Sequence, residues 1–144
     1  MDGTEESLAQ SRALTRSLIL LAERVKADFA DAVAPLDMPA STARVLLVLA
    51  QPTRMSDLAE QLGANRSYAS GVADQLEKQG LLTRVTGSDR RVRLVALTEQ
   101  GHQLREKVAE AVTAGVMITQ IVTEQERQTL QPILEAVLAR YAAR

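Results

Sequence analysis

The sequence contains no cysteine and no tryptophan, and it has one histidine, His102. The absence of cysteine excludes disulfide bonds, thiolate catalysis and cysteine-based redox or metal sensing. With one histidine the sequence marks neither a transition-metal site nor a Ser–His–Asp nucleophilic set, and it has no glycine-rich phosphate loop. We therefore expect no metal, no cofactor and no enzymatic activity.

Long hydrophobic runs are also absent. No apolar stretch approaches the roughly 20 residues of a membrane-spanning helix, and the polar start MDGTEES is unlike a signal peptide. Hydrophobic residues make up 46% of the 144 positions and charged residues 24%, which is typical of a globular chain. We expect a single domain over residues 1–144, with no membrane partner, in the cytoplasm.

Hydrophobic periodicity predicts a mainly α-helical chain. Apolar residues at spacings of three and four, among them Leu14, Leu18 and Leu21, predict a long helix over 5–34 that Pro35 ends. Further helices are predicted over 39–50, 55–62, 66–79, 99 to about 120, and from the capping box Thr123–Glu126 to Tyr141. Pro132 is expected to bend or restart the last of these helices.

Glycine and polar residues mark the ends of the two short central helices. Gly63 is a stop signal for helix 55–62, and Asn65 is a good N-cap for helix 66–79. The N-cap of helix 55–62 is Thr53 or Ser56, and the sequence does not choose between them. The predicted inward residues of the two helices are Leu58, Ala59, Leu62, Ala69, Val72, Ala73 and Leu76.

A short β-hairpin is predicted next in the chain. Two strand-like apolar runs, Leu81–Val85 and Val92–Leu97, are joined by the turn residues Gly87–Asp89. Four arginines lie within ten residues around this turn and are opposed only by Asp89: Arg84, Arg90, Arg91 and Arg93. Guanidinium groups at an exposed turn suit phosphates and the narrow minor groove. The hairpin is therefore a candidate polyanion-binding element.

The distribution of charge agrees with this interpretation. The net charge of the chain is −1, but residues 51–97 carry seven basic groups against five acidic groups. The positive excess thus lies in the segment that contains the hairpin. Local charge, more than the total, decides whether a surface binds nucleic acid.

A helix, a glycine-containing turn and a second helix directly precede the hairpin, which is a helix-turn-helix arrangement. Hydrogen-bonding side chains occupy the first turns of the second helix, where a recognition helix meets base edges. These candidate DNA contacts are Asn65, Arg66, Ser67, Tyr68 and Ser70. Any capped surface helix can carry such residues, so it is their combination with the arginine-tipped hairpin that favours a winged helix-turn-helix.

Five short motifs then occur in one order along the chain. They are Leu58-Ala59-x-x-Leu62-Gly63, Asn65-Arg66-Ser67, Leu76-Glu77-x-x-Gly80-Leu81, Asp89-Arg90-Arg91 and Leu97-Thr98-Glu99-x-Gly101. With these motifs, and with one helix before the DNA-binding unit and two long helices after it, the chain resembles the MarR family of bacterial transcriptional regulators.

The resemblance implies a winged helix-turn-helix core over 36–98 that is flanked by dimerisation helices over 5–34 and 99–142. A homodimer would bind a pseudo-palindromic operator in double-stranded DNA, most simply as a repressor. The recognition helix, which begins at Arg66 and Ser67, would enter the major groove. In the wing, the resemblance implies Arg91 in the minor groove, Asp89 as a brace and Arg90 on phosphate. Arg84 is a further candidate DNA contact because it is one of the four hairpin arginines.

Two features leave alternatives open. Gly71 and Gln75 stand where the family often has basic residues, so a winged-helix protein-interaction module that does not bind DNA specifically remains an alternative. The resemblance also implies a small organic effector, for which Arg16 and Arg44 are the candidate anion partners. Both arginines can equally form salt bridges within the chain or face solvent, and the scarcity of aromatic residues disfavours an aromatic-lined pocket.

Overall fold

Seven α-helices and one antiparallel hairpin make up the computed structural model, which describes residues 3–144. In chain order they are α1 Gly3–Val33, α2 Ala40–Val48, α3 Met55–Leu62, α4 Arg66–Lys78, β1 Leu82–Thr86, β2 Arg93–Leu97, α5 Glu99–Gly115, α6 Ile118–Ile121 and α7 Glu124–Ala142. A turn of 3₁₀ helix, Ala34–Leu36, follows α1. The predicted fold class is confirmed. Met1 and Asp2, which the predicted single domain includes, lie outside the described residues.

The hydrophobic core lies among α2, α3, α4, the hairpin and the middle of α5. Leu46 and Leu49, at the apolar end of α2, are fully buried, as is Val108 of α5. All the inward positions predicted for α3 and α4 are buried as well. Since apolar burial is the main favourable term in folding, this cluster fixes how α4 and the hairpin sit relative to each other.

The predicted signals at the α3–α4 turn are confirmed. Gly63 ends α3 in the left-handed conformation, with φ of 61°. The Asn65 side chain caps α4 by accepting a 2.8 Å hydrogen bond from the backbone N–H of Tyr68. Together the glycine and the asparagine set the angle between the two helices.

Both candidates for the α3 N-cap are wrong, because the cap position is Arg54. Thr53 is in extended backbone and exchanges two hydrogen bonds with Val95 of β2, at 2.9 and 2.8 Å. Its hydroxyl donates to the Gln51 carbonyl instead of capping the helix. Ser56 already lies inside α3. The pairing of Thr53 with a strand forty residues away is a tertiary effect that a local pattern does not reveal.

The helix predicted over 99 to about 120 ends earlier, at Gly115. At Gly115, α5 passes so close to Ala32 of α1 that an added Cβ would lie 2.8 Å from the Ala32 Cβ atom. The chain then turns into extended backbone at Val116, which is buried, and the Met117 N–H donates to the Asp28 carboxylate at 3.3 Å. The contact with α1, invisible in the local sequence, therefore decides where α5 stops.

The last helix begins at the predicted capping box. The Thr123 hydroxyl accepts from the Glu126 N–H, while the Glu126 carboxylate accepts from the Thr123 N–H and hydroxyl. The two bonds that the Glu126 carboxylate accepts hold the pKa of Glu126 below its ordinary value. The bond from the Thr123 N–H has the larger effect, and the bond from the Thr123 hydroxyl has the smaller. The helix continues through Pro132 without interruption, so the predicted restart does not occur. Among the described helices, none combines the length and the hydropathy that a membrane crossing requires.

Gly71 lies in the middle of α4, yet the fold does not require a glycine there. It is exposed, its backbone is helical, and an added Cβ would have no atom within 4 Å. Replacing Gly71 by alanine is expected to raise the free energy of unfolding by about 0.5–1 kcal/mol, because glycine loses more backbone entropy in a helix. Urea denaturation followed by circular dichroism measures this change.

Gly63→Ala is the matched control for Gly71→Ala. Its Cβ would also lie in open space, but the left-handed backbone at φ 61° disfavours a side chain. We expect this variant to be less stable than the wild type. A loss of stability in Gly71→Ala would show that the glycine serves the fold after all.

Candidate nucleic-acid interface

Helix α4 exposes a polar face opposite the residues that it buries. With 3.6 residues per turn, the outermost stripe of α4 consists of Ser67, Gly71, Asp74 and Lys78, all of which are exposed. The candidate contacts Arg66 and Tyr68 at the first turn are exposed as well, and Ser70 is half-buried. The first two turns of α4 thus offer hydrogen-bonding side chains to solvent, which is the part of a recognition helix that reads base edges.

Asn65, one of the predicted DNA contacts, also stabilises the start of α4. The side-chain oxygen of Asn65 is occupied by the Tyr68 N–H, so Asn65 holds the start of α4 and offers only its amide N–H groups to a ligand. Its first role is therefore to position Arg66, Ser67 and Tyr68.

The hairpin forms the expected wing. Its strands pair in the register Leu82↔Leu97 to Thr86↔Arg93, and the turn closes with hydrogen bonds from the Gly87 N–H to the Val92 carbonyl and from the Val92 N–H to the Asp89 carbonyl. The Asp89 carboxylate accepts a 3.0 Å bond from the backbone N–H of Arg91. Asp89 thus fixes the backbone at the tip and leaves the Arg91 guanidinium exposed.

Arg84 connects the wing to α4. Its Nη2 lies 2.7 Å from Asp74 Oδ1 and its Nε lies 3.4 Å from Glu77 Oε2, both on α4. All three side chains are 41–54% exposed, and ion pairs this exposed contribute little to stability. The contact therefore matters more for orientation: Arg84 aligns β1 with α4 and offsets two negative charges on the recognition helix.

A cleft of about 420 Å³ separates α4 from the wing, and five arginines line it: Arg54, Arg66, Arg84, Arg91 and Arg93. They come from four places in the chain, which are the residue before α3, the first turn of α4, strand β1, and the wing tip with β2. Arg54 was not predicted at the site, because only the pairing of Thr53 with Val95 brings it there. Arg93 was counted among the hairpin arginines but not as a contact.

No metal site accompanies these residues. Within residues 3–144, no three His, Asp or Glu side chains converge in a way that could hold a metal ion. The chemistry available at this surface is anion binding and hydrogen bonding.

A sequence profile described as the MarR family matches residues 45–92, from the second half of α2 through α4 to the wing tip. MarR from Escherichia coli, solved in its apo form, superimposes with a TM-score of 0.68 at 25% identity, over 87% of this chain and 96% of that structure. The chain is thus similar to the MarR family in sequence over its winged core, and similar in fold to MarR over most of its length.

Two further proteins are similar to this chain, one in sequence and one in fold. Transcriptional repressor MprA of Escherichia coli K12 is 33% identical over 87 residues, which cover 59% of this chain and 49% of MprA. This chain therefore spans about half the length of that curated relative. CouR from Rhodococcus jostii RHA1, solved with p-coumaroyl-CoA bound, shares the fold with a TM-score of 0.80 at 24% identity, over 89% of this chain and 93% of CouR.

The two arginines considered for an effector lie apart in the structure. Arg44 donates a 2.8 Å hydrogen bond to the Leu62 carbonyl at the end of α3, and it lines a groove of about 1040 Å³ between the winged core and the end of α7. Arg16 is exposed on α1 and does not line that groove. Arg44 thus has a partner within the chain, which is a backbone carbonyl and not the carboxylate of a salt bridge.

Proposed function

We propose that this protein is a homodimeric transcriptional regulator that binds a pseudo-palindromic operator in double-stranded DNA, acts in the cytoplasm, and represses by blocking the operator. The observation that carries the proposal is the convergence of a polar recognition-helix face and an arginine-tipped wing on one side of the winged core. A surface of this kind fits duplex DNA, whose phosphates attract arginine and whose base edges accept and donate hydrogen bonds.

Each part of the surface has a role in this proposal. Helix α4 enters the major groove, where Arg66 and Ser67 approach base edges together with Tyr68 and Ser70. Arg91 enters the adjacent minor groove and Arg90 contacts phosphate, while Asp89 braces the wing. Arg84 contributes mainly by holding β1 against α4, since its guanidinium is already engaged by Asp74 and Glu77.

The dimer is supported by the apolar faces of α1 and α7. Helix α7 buries no residue within its own chain, and α1 buries only Val33. The exposed large apolar side chains include Leu14, Leu18, Leu21, Leu130, Ile133, Leu134, Leu138 and Tyr141. Since helical stability in proteins comes mostly from packing an apolar face, two such long helices need a partner. A second copy supplies the same two faces and covers them symmetrically.

Leu134→Glu is expected to convert the dimer into monomers, because it places a charge in the middle of the apolar face of α7. Ala136→Glu, two residues away on the opposite face of the same helix, is the matched control and should remain dimeric. Sedimentation equilibrium should give about twice the chain mass of 15.6 kDa for the wild type and for the control. A monomeric wild type, or a dimeric Leu134→Glu variant, would contradict the proposed interface.

A small organic effector is part of the proposal. The groove between the winged core and the end of α7 is its candidate site, because Leu138 and Tyr141 offer apolar surface in the groove that Arg44 also lines. Arg16, the other arginine considered for an effector, does not line this groove. An effector bound there would act by favouring a dimer whose two α4 helices are wrongly spaced for the operator. Screening small aromatic and aliphatic acids for release of bound DNA tests this part.

Selection of binding sites from a pool of random duplexes tests the function itself. The proposal predicts enrichment of a pseudo-palindrome whose half-sites are centred about 10 bp apart, one turn of the double helix. No enrichment over the input pool would contradict DNA recognition and would favour the alternative, a winged-helix module that binds a protein partner.

A further inference from the structure

Arg54 occupies a position that is unfavourable for an arginine. It is the N-cap of α3, where Ser, Thr, Asp and Asn are preferred, and its side chain makes no cap hydrogen bond. The start of a helix also carries a partial positive charge, which disfavours a nearby cation. Local structure therefore gives no reason for an arginine at this position.

The charges around Arg54 make its position still less favourable for an arginine. Arg54 lines the cleft between α4 and the wing together with Arg66, Arg91 and Arg93. Within residues 3–144, none of these four guanidinium groups lies within 4.0 Å of a carboxylate, and Arg84 is the arginine of the cleft that does form ion pairs. Four uncompensated positive charges around one cleft repel each other, so an anion that enters the cleft is strongly favoured.

The position of the cleft identifies the anion. When a recognition helix lies in the major groove and a wing lies in the next minor groove, one sugar-phosphate strand passes between them. The planar fork of a guanidinium fits phosphate oxygens in a bidentate manner. We propose that this cleft binds a backbone phosphate of that strand, and that Arg54 and Arg93 are phosphate-contacting residues. The inference rests on the proposed function, and it adds two contacts that carry affinity without sequence preference.

Arg54→Ser tests the inference because it should raise the stability of the protein and lower its affinity for DNA. Serine is a preferred N-cap, so the variant should unfold at a higher urea concentration than the wild type. In fluorescence anisotropy, its affinity for DNA should fall about 3- to 10-fold for the selected duplex and for a scrambled one alike. The slope of log K against log salt concentration should decrease by about one unit, because one phosphate contact is lost. Arg93→Gln should change the affinity and the slope in the same way.

Lys107→Gln on α5 is the charge control. It removes one positive charge from an exposed position outside the cleft, so the slope should stay at its wild-type value. The phosphate assignment would be overturned if Arg54→Ser kept the affinity and the salt slope of the wild type while Arg91→Ala still lost binding. That result would leave the proposed function standing. A loss confined to the selected duplex would also overturn the phosphate assignment, since it would show base reading. A wild type that binds no duplex would remove the proposed function and this inference together.

Discussion

Replacing Arg91 by alanine is expected to weaken binding to the selected operator about 5- to 150-fold, which corresponds to about 1–3 kcal/mol. The Arg91 backbone is fixed by Asp89, and its guanidinium is exposed at the wing tip without a carboxylate partner among residues 3–144. A pre-positioned arginine of this kind gains most in a narrow minor groove, where the negative potential is enhanced. Anisotropy titrations of the selected and scrambled duplexes measure the change.

The comparison with Arg90→Ala makes this prediction specific. Arg90 is next in the chain and is also exposed, but it does not line the cleft between α4 and the wing. We expect Arg90→Ala to weaken binding to both duplexes slightly and to similar extents, as the loss of a phosphate contact does. Equal and small effects of the two substitutions would contradict the minor-groove role of Arg91.

Replacing Gly101 by alanine is expected to lower the free energy of unfolding by about 3 kcal/mol, the largest stability effect that we expect for a single added methyl group. An added Cβ would overlap the backbone carbonyl of Leu81 and lie 3.2 Å from Leu97 Cβ. The Leu81 oxygen accepts a 3.0 Å hydrogen bond from the Thr98 N–H. The Thr98 hydroxyl donates to the Gly80 carbonyl and accepts from the Gly101 N–H. The backbone therefore has little freedom to move away.

Two other substitutions serve as comparisons for Gly101→Ala. His102→Ala, at the next and exposed position of α5, should change stability by no more than about 0.5 kcal/mol. Gly71→Ala, the same chemical change in α4, should act in the opposite direction. Urea denaturation of the three variants measures all three effects, and a stable Gly101→Ala variant would contradict the tight contact between α5 and Leu81.

The sequence predicts those parts of the fold that depend on local chemistry. Asn65 at the start of α4, Gly63 at the end of α3 and the Thr123–Glu126 capping box act within a few residues, so their patterns are visible in one segment. Strand β1 is displaced by about one residue from its predicted run, and β2 begins about one residue later than predicted but ends at Leu97 as predicted. Leu81 is not in β1, because its N–H donates to Leu76 at the end of α4 and its carbonyl accepts from Thr98.

Tertiary contacts decide what the sequence could not predict. Thr53 does not cap α3 because it pairs with Val95, and α5 stops at Gly115 because α1 lies against it at Ala32. The same kind of contact assembles the arginine cleft, since Arg54 precedes Arg93 of β2 by almost forty residues. Arg84 was predicted as a DNA contact from its charge alone, and the carboxylates that engage it lie on a different element.

The apolar face of α1 was predicted as a pattern but not as a contact. The spacing of its leucines correctly predicts a helix with one apolar face, but Leu14, Leu18 and Leu21 are 45–61% exposed within the single chain. Periodicity reveals that a face must be covered and does not reveal which chain covers it. For α1 and α7 we propose that the second copy of the protein does so.

The most direct measurement of the central claim is hydrogen–deuterium exchange of the wild type with and without the selected duplex. We expect DNA to slow amide exchange over 66–75 in α4 and over 86–93 in the wing, and we expect α1 and α7 to exchange at the same rate in both samples. Unchanged exchange in α4 and the wing, or protection confined to α1 and α7, would contradict the claim that α4 and the wing together form a DNA-binding surface.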